Sequence, residues 1–466
     1  MHKMTLRAMT KACGGTYYGS EDNLDKEITD ITIDSRKVSK GGLFIAICGE
    51  RTDGHRYIDS CYDAGALCVI SERELPEQKN SYIKVKSSLQ ALKDLALFYR
   101  NNLDIKVVGI TGSVGKTSTK ETISYVLEEK YKVLKTQGNF NNEIGLPLTV
   151  FRLREDDEIA VLEMGISDFG EMERLSRIAQ PDIGVITNIG LCHLENLKSR
   201  DGILKAKTEM FNHLKPDGIA ILNGDDDKLI TIDEVKGKRP VRFGISYKDG
   251  VYASDIHNLG LDGTSFVING LKCSDSDKAF EVTVPVPGHH MIYNALAAAC
   301  VGATLGLSSL QIKNGIAKLK TIAGRNNVIK TQAYTIIDDC YNANPVSMKA
   351  SVDVINMALG RKVCILGSMF ELGDNEKNLH YDVGQYIGTK SIDVLITIGE
   401  LAKHIAMGAL DYKEAHYDAY ECDIHSFDTI EAFNEAAGDL LKQGDNILVK
   451  ASHGMEFSRI VDELSK

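Results

Sequence analysis

Lys116 and Thr117 follow the last of three glycines in "GITGSVGKTSTKETI", residues 109–123, where Gly109, Gly112 and Gly115 frame a turn. Glycines spaced this way let backbone N–H groups turn inward around phosphate oxygens. A lysine just after such a turn reaches the outer phosphates, and the next hydroxyl can ligate Mg²⁺. The pattern G-x-x-G-x-x-G-K-T departs slightly from the commonest phosphate loop and carries an additional glycine at Gly112. The apolar run Lys106-Val107-Val108 precedes it and a helical pattern follows. The expected context is therefore strand, loop and helix, with the positive end of the helix near Thr117. Thr111, Gly112, Ser113, Val114, Gly115, Lys116 and Thr117 are the residues that would cradle the phosphates. The loop alone does not choose between a GTPase, a kinase and a ligase. A guanine-reading N-K-x-D motif is absent downstream.

A second chemical candidate lies in "GILKAKTEMFNHL", residues 202–214. At helical spacing Ile203, Lys207, Met210, Phe211 and Leu214 share one face, while Lys205, Thr208, Glu209 and Asn212 share the polar side. Lys207 therefore sits in the apolar stripe. One reading is a lysine whose stem packs while its amine reaches water. The other starts from desolvation, which favours the neutral amine. A neutral amine can combine with CO₂ to give a carbamate, a hard oxygen ligand suited to Mg²⁺. Glu163 ends the apolar run "IAVLEMG" and His193 follows "IGVITNI". In a parallel sheet both would stand at the same edge as the phosphate loop. Read singly, Glu163 also suits a loop carboxylate and His193 a surface histidine.

The elements that must position these residues are short apolar runs separated by helix-length segments. They are 106–111, 159–165, 183–189, 219–225, 335–339, 362–368, 394–399 and 446–452. Runs of this kind predict parallel sheets covered on both faces. The stretch 240–287 reads as β-rich. Polar steps at 99–104 and 321–327 divide the 466 residues into expected domains 1–102, 103–323 and 324–466. Lys plus Arg is 54 and Asp plus Glu is 65, a net charge of −11, which argues against a broad nucleic-acid surface. The start, "MHKMTLRAMTKACGG", has no apolar core of signal-peptide length, and no apolar run is long enough to span a bilayer. The ten cysteines show no metal-ligand spacing, and several, such as Cys48 and Cys364, lie in apolar runs. They predict reduced core thiols in a cytoplasmic protein, with a monomer as the default state.

Longer stretches resemble the Mur ligases, and within them the MurF type. They are "DSRKVSKGGLFIAICGERTDGHRY" (34–57), "TGSVGKTSTKE", "TQGNFNNEIGLPLT", "LEMGISDFGEMERL", "TNIGLCHLENL", "KAKTEMF", "NALAAA", "GRNN", "IIDDCYNANPVSMKAS" and "LGSMFELG", in that order. The resemblance implies three α/β domains: an N-terminal substrate domain, a central P-loop ATPase domain with a doubly wound parallel sheet, and a Rossmann-like C-terminal domain. It implies an ATP-dependent ligase that joins D-alanyl-D-alanine to UDP-N-acetylmuramoyl-tripeptide. By the same resemblance Lys207 is the carbamylated lysine. Thr117, Glu163, His193 and Lys207 hold Mg²⁺, and Lys116 holds ATP phosphates. Asn294 contacts adenine, Arg325 reaches phosphates, and Asp339 lies near ribose and metal. Ser35 and Arg36 contact the uridine nucleotide, Asn139 and Asn142 line the cleft, and Tyr341, Asn342 and Asn344 meet the incoming amine. Lys450 and Ser452 complete the substrate set.

The resemblance breaks at Cys340, where serine is usual, at Ser368 in place of aspartate, and at Ala451 and His453 in place of glycine and arginine. An arginine pairs a carboxylate bidentately and a histidine does not. The second substrate is thus open between D-alanyl-D-alanine and a variant D-dipeptide or D-alanyl-D-hydroxy acid. His380 and His453 are weak candidates for the group that takes the amine's proton. The run 34–57 speaks against a folate ligase, which would resemble only the later two domains. The set Lys116, Glu163, His193 and Lys207 speaks against a nucleotide switch without ligase chemistry.

Overall fold

Alternation along the middle strands decides which helices cover which face. In Lys106–Thr111, Ile159–Glu163, Ile183–Ile186 and Ile219–Asn223, the side chains of Val107, Leu162, Ile186 and Leu222 enter one core. Val108, Ile110, Val161, Val185 and Ile221 enter another. Neighbouring strand residues point to opposite faces, so both faces are buried. The computed structural model describes residues 1, 3–49, 52–76, 80–276, 278–416 and 421–466. Glu50 and Arg51, inside the run 34–57, lie outside the described residues.

Among the described residues three sheets form. The central one has nine strands, parallel from Val133–Lys135 through Ile159–Glu163, Lys106–Thr111, Ile183–Ile186, Ile219–Asn223 and Val241–Gly244 to Val251–Asn258. Thr264–Asn269 and Phe280–Val284 then extend it antiparallel, which makes the sheet mixed and accounts for the β-rich tail. The helices Lys116–Leu127, His290–Thr304 and Ser309–Ala317 pack together on one face. The first sheet has five strands and the third six, with parallel pairing at the centre of each.

The first and central sheets share a core. Leu43, Ile70 and Ile83 belong to the same cluster as Val107 and Leu162, joined by Leu92, Leu95 and Tyr99 of the helix Ser88–Asn101. The third sheet builds two cores of its own. All the strands expected from 106 to 452 are present, and all but the first stop short of the expected end. Residues past those ends, such as Thr187–Ile189 and Asp339, leave the sheet and form loops over its carboxyl edge, where open α/β sheets bind ligands. No helix among the described residues is long and apolar enough to cross a membrane. No disulfide is formed among the described residues; Cys48, expected in the core, is exposed because its strand ends at Ile45.

Candidate active site

The phosphate loop is held from behind by the end of the neighbouring strand. Asn188 Oδ1 accepts the N–H of Val114 at 2.9 Å, and Thr187 Oγ1 donates to Val114 O at 2.7 Å. Ser113 Oγ accepts the N–H of Gly190 at 2.9 Å. Gly109, expected to frame the turn, lies inside the strand Lys106–Thr111, so the turn itself belongs to Gly112 and Gly115. Gly112 has φ 152°, and a Cβ there would stand 1.9 Å from Thr187 Oγ1. Gly115, at φ 83°, is the N-cap of Lys116–Leu127 and offers no side-chain cap. The first-turn N–H groups of an α-helix have no intrahelical acceptor, so this end is built for an anion. Lys116 Nζ rests on Gly112 O at 2.9 Å, folded back over the loop.

Beside the loop, Thr117 Oγ1 donates to Glu163 Oε1 at 3.2 Å, and Asn141 Nδ2 donates to the same oxygen at 2.8 Å. The other oxygen, Glu163 Oε2, is buried without a partner, as is Thr111 Oγ1. Buried polar atoms are nearly always satisfied, so an orphaned carboxylate oxygen marks a place for a ligand. Lys207 is 1% exposed, and Ile203, Ala206, Met210 and Phe211 are buried around it, while Lys205 stays exposed. Burial lowers the Lys207 amine to about 8; Cys192 opposes the shift and Lys116 adds to it. The amine therefore does not snorkel to water. His193 has φ 52°, and its Nδ1 donates to Glu371 Oε2 of the third unit at 2.9 Å. Its ring is held below the ordinary range by burial, against the pull of Glu371 and with a push from Lys116 and Lys207. Among the described residues no group of three or more His, Cys, Asp or Glu gathers to hold a metal. What does gather is a hydroxyl and a carboxylate with a free oxygen, at the phosphate loop whose Lys116 acts on the buried Lys207 amine. The oxygen donors fit a hard cation such as Mg²⁺, and a carbamate on the amine would add to them.

Asn294 is buried and its Oδ1 accepts from Thr119 Oγ1 at 2.9 Å, which fixes it against the phosphate-loop helix. A narrow cavity nearby is lined by Ser118, His290, Met291, Thr321, Arg325 and Asn326. The Arg325 guanidinium lies 4.0 Å over the Tyr341 ring, whose other neighbour is His453 at 5.9 Å. The linker and the loop after Thr335–Asp338 are stitched together. Gly324 N–H donates to Asp338 Oδ2 at 2.6 Å, Tyr341 N–H to Gly324 O at 3.1 Å, and Asn326 N–H to Asp339 Oδ1 at 3.1 Å. Asp339 also receives Ser351 Oγ and Lys450 Nζ on Oδ2. Cys340 Sγ donates to Asp338 Oδ1 at 2.8 Å. Burial, then that carboxylate, push the thiol far above its ordinary value. Asn344 caps Pro345–Asn356 in a reciprocal capping box with Ser347. Ser452 Oγ accepts Phe370 N–H at 2.9 Å.

The remaining expected residues stand apart from this cluster. Arg36 folds back on Asp34, which its guanidinium holds down at about 2, and Ser35 lies in the same turn of the first unit. Asn142 Oδ1 accepts Gly145 N–H at 2.8 Å and starts the helix Gly145–Val150, and Asn139 is a neighbouring backbone acceptor for Asn141. His380 is buried, its Nε2 accepting Met369 N–H at 2.8 Å. Asn141, Asn188, Glu371 and Asn326 enter the site without a motif in the sequence that marks them; Asn141 sits between the two expected cleft asparagines in "NFNNE". A larger groove lined by Leu204, Lys205, Phe211 and Val235 flanks the polar side of Lys207's helix and holds none of the expected residues.

Three family models match the chain: the Mur ligase family catalytic domain over residues 27–100, the Mur ligase middle domain over 110–302, and the Mur ligase glutamate ligase domain over 324–453. A UDP-N-acetylmuramoyl-tripeptide–D-alanyl-D-alanine ligase from Bacillus subtilis (strain 168) is 38% identical over 473 residues, covering 100% of this chain and 99% of its own. Among solved structures, MurF from Acinetobacter baumannii is similar with a TM-score of 0.89 at 30% identity, covering 99% of this chain and 98% of its own. MurF from Thermotoga maritima in complex with ADP gives 0.81 at 30% identity, covering 94% and 97%.

Proposed function

The chain belongs to the Mur ligase family, and we propose that it joins D-alanyl-D-alanine to UDP-N-acetylmuramoyl-tripeptide at the expense of ATP, in peptidoglycan precursor synthesis. The observation that carries the chemistry is the buried, readily neutral Lys207, whose amine feels Lys116 of the phosphate loop, while Glu163 beside Thr117 of that loop keeps an unpartnered oxygen. Forming an amide from a carboxylate requires a leaving group better than oxide. In this reading the tripeptide carboxylate attacks the γ-phosphorus, ADP leaves, and an acyl phosphate results. The dipeptide amine then adds to the acyl carbon, the C–O bond to phosphate breaks, and the amine gives up a proton.

Each step has residues suited to it. The loop from Thr111 to Thr117 and the uncapped helix behind it hold the triphosphate, and Lys116 would swing from Gly112 O to the outer phosphates. Thr117, Glu163, His193 and a carbamate on Lys207 would hold Mg²⁺. Bound there, the metal would offset charge developing on the transferred phosphoryl group. CO₂ adds to the neutral Lys207 nitrogen, which loses a proton, so burial of the amine prepares it for the modification. Asn294 and the cavity beside Arg325 would receive the nucleoside, with Asp339 at its edge. Ser35 and Arg36 in domain 1–102 would meet the uridine end. Domain 103–323 would bind ATP, with Asn139 and Asn142 along the cleft. Domain 324–466 would bring the amine substrate against Tyr341, Asn342 and Asn344. The Glu371–His193 pair spans the central and third units, and closure along it would keep water from the acyl phosphate. The setting is the cytoplasm and the working form a monomer.

The test is phosphate release with purified protein, ATP and Mg²⁺, with and without each peptide substrate, and product mass measured. Release that requires both UDP-N-acetylmuramoyl-tripeptide and D-alanyl-D-alanine, with a UDP-pentapeptide product, is expected. Turnover of nucleotide that ignores both substrates would remove the reading.

A further inference from the structure

Lys450 ends the strand Asn446–Lys450, is 2% exposed, and has three acceptors around its amine. Nζ donates to Asp339 Oδ2 at 2.6 Å, to Asn342 O at 3.0 Å and to Asp339 O at 3.3 Å. An ammonium has three hydrogens, so this geometry leaves none for a ligand. Asp339 divides its work: Oδ2 takes Lys450 and Ser351, while Oδ1 takes the Asn326 N–H of the linker. The backbone carbonyl of Asn342 has Lys450 as its partner inside the loop that carries Tyr341 and Asn342.

We propose that Lys450 is a positioning residue for amine addition: from beneath, it fixes the backbone of residues 339–342, so that the loop and not the lysine meets the incoming dipeptide. The assignment rests on the function proposed above. A buried ion pair bonded to two backbone carbonyls restrains a loop's shape, and losing one partner leaves the other unsatisfied. Removing the amine frees the Asn342 carbonyl and one of the two donors on Asp339 Oδ2, but leaves Ser351 on that oxygen and the Asn326–Asp339 bond on the nucleotide side in place.

Two half-reactions separate this role from general structural support. Acyl phosphate formation from UDP-tripeptide and ATP needs no amine and is read by borohydride trapping and mass spectrometry. Amine addition is read from product formation as D-alanyl-D-alanine is varied. Lys450→Met is expected to raise the dipeptide KM at least fivefold while trapped acyl phosphate stays within twofold of wild type. Lys450→Arg keeps a charge beside Asp339 and so guards against loss of folding. Its planar fork does not reproduce the three-acceptor arrangement, and a KM rise in the same direction is expected. If Lys450→Met does not fold, Lys450→Arg decides. Parallel loss of both half-reactions, or a dipeptide KM unchanged in a folded variant, overturns the assignment. Wild-type protein run alongside keeps the two claims apart: absence of dipeptide-dependent product in wild type defeats the proposed function, whereas a normal wild type with unaltered variants defeats only the role of Lys450.

Discussion

Around the phosphate loop, Glu163 Oε2 and Thr111 Oγ1 are buried without partners, and the helix behind begins without a side-chain cap. Across the cleft, in the third unit, polar groups of the same kinds are engaged: Asp339 with three donors, Lys450 with three acceptors, Asn344 with Ser347, and Ser452 with Phe370. A site preformed for a charged ligand keeps atoms in reserve until the ligand arrives. A loop whose task is to present backbone and a few side chains uses its polar groups to hold its own shape. Replacing a group held in reserve on the first side by one of the same shape should therefore abolish chemistry with little effect on folding, and substitutions on the second side should shift stability and the dipeptide KM together.

The sharpest break of that contrast is Glu163→Gln. The amide can still accept from Thr117 and Asn141 but loses the charge, so the fold should persist. ADP formation should fall by about 10²–10³, the scale of removing one preorganised electrostatic partner. A coupled ADP assay checks it, and retention of a third or more of wild-type turnover would place the acidic site elsewhere.

Lys207 gives the next effect. With its amine at about 8 rather than 10.5, keeping it as an ammonium in the fold costs on the order of 3 kcal/mol at neutral pH. The folded value lies below the ordinary one, so between pH 8 and 10.5 the unfolded chain holds the extra proton and stability rises with pH. In CO₂-free buffer Tm should climb across that window more steeply for wild type than for Lys207→Met. At pH 8 added bicarbonate should raise Tm of the wild type only, with a carbamate carbon visible by ¹³C NMR. A bicarbonate response shared by Lys207→Met would remove the modification.

Gly112→Ala tests the loop's shape. The added Cβ meets Thr187 Oγ1, a hydroxyl fixed to Val114 O, so the strand end must move. Overpacking of this sort costs about 1–3 kcal/mol, and nucleotide titration should show binding lost with it. An alanine variant that binds ATP normally would show the loop to be plastic.

What was legible in the sequence follows the same divide. The phosphate loop declares itself because its chemistry is local: glycines, lysine and threonine side by side. Lys207 was visible through the helical period of its apolar neighbours. Asn188 and Asn141 act across 74 and 22 residues of sequence, and no spacing rule joins them to Val114 or Glu163. Nothing local pairs Glu371 with His193 either. Lys450 read as a substrate contact because residue type does not tell which way an amine faces; yet its whole strand is buried, which leaves no open face for it. The first unit's strands escaped because they are two to four residues long. The third unit's loops look functional in sequence for the same reason that they cap and clamp: Asn, Asp and Ser serve both ends.

Asn344 decides between those two uses. As N-cap of Pro345–Asn356 it accepts Ser347 N–H at 2.9 Å, and that helix carries Met348 into the core and Ser351 to Asp339. Asn344→Ala should cost about 1 kcal/mol through loss of the cap, read as a lower Tm. Trapped acyl phosphate should be unchanged and the dipeptide KM modestly raised, because the loop is loosened rather than emptied. Aspartate caps a helix as well as asparagine does, so Asn344→Asp should restore Tm. If KM returns with it, the side chain works through the helix start. If Tm returns while KM stays high, the amide touches the dipeptide directly, and the division between reserve and engaged polar groups fails at this residue.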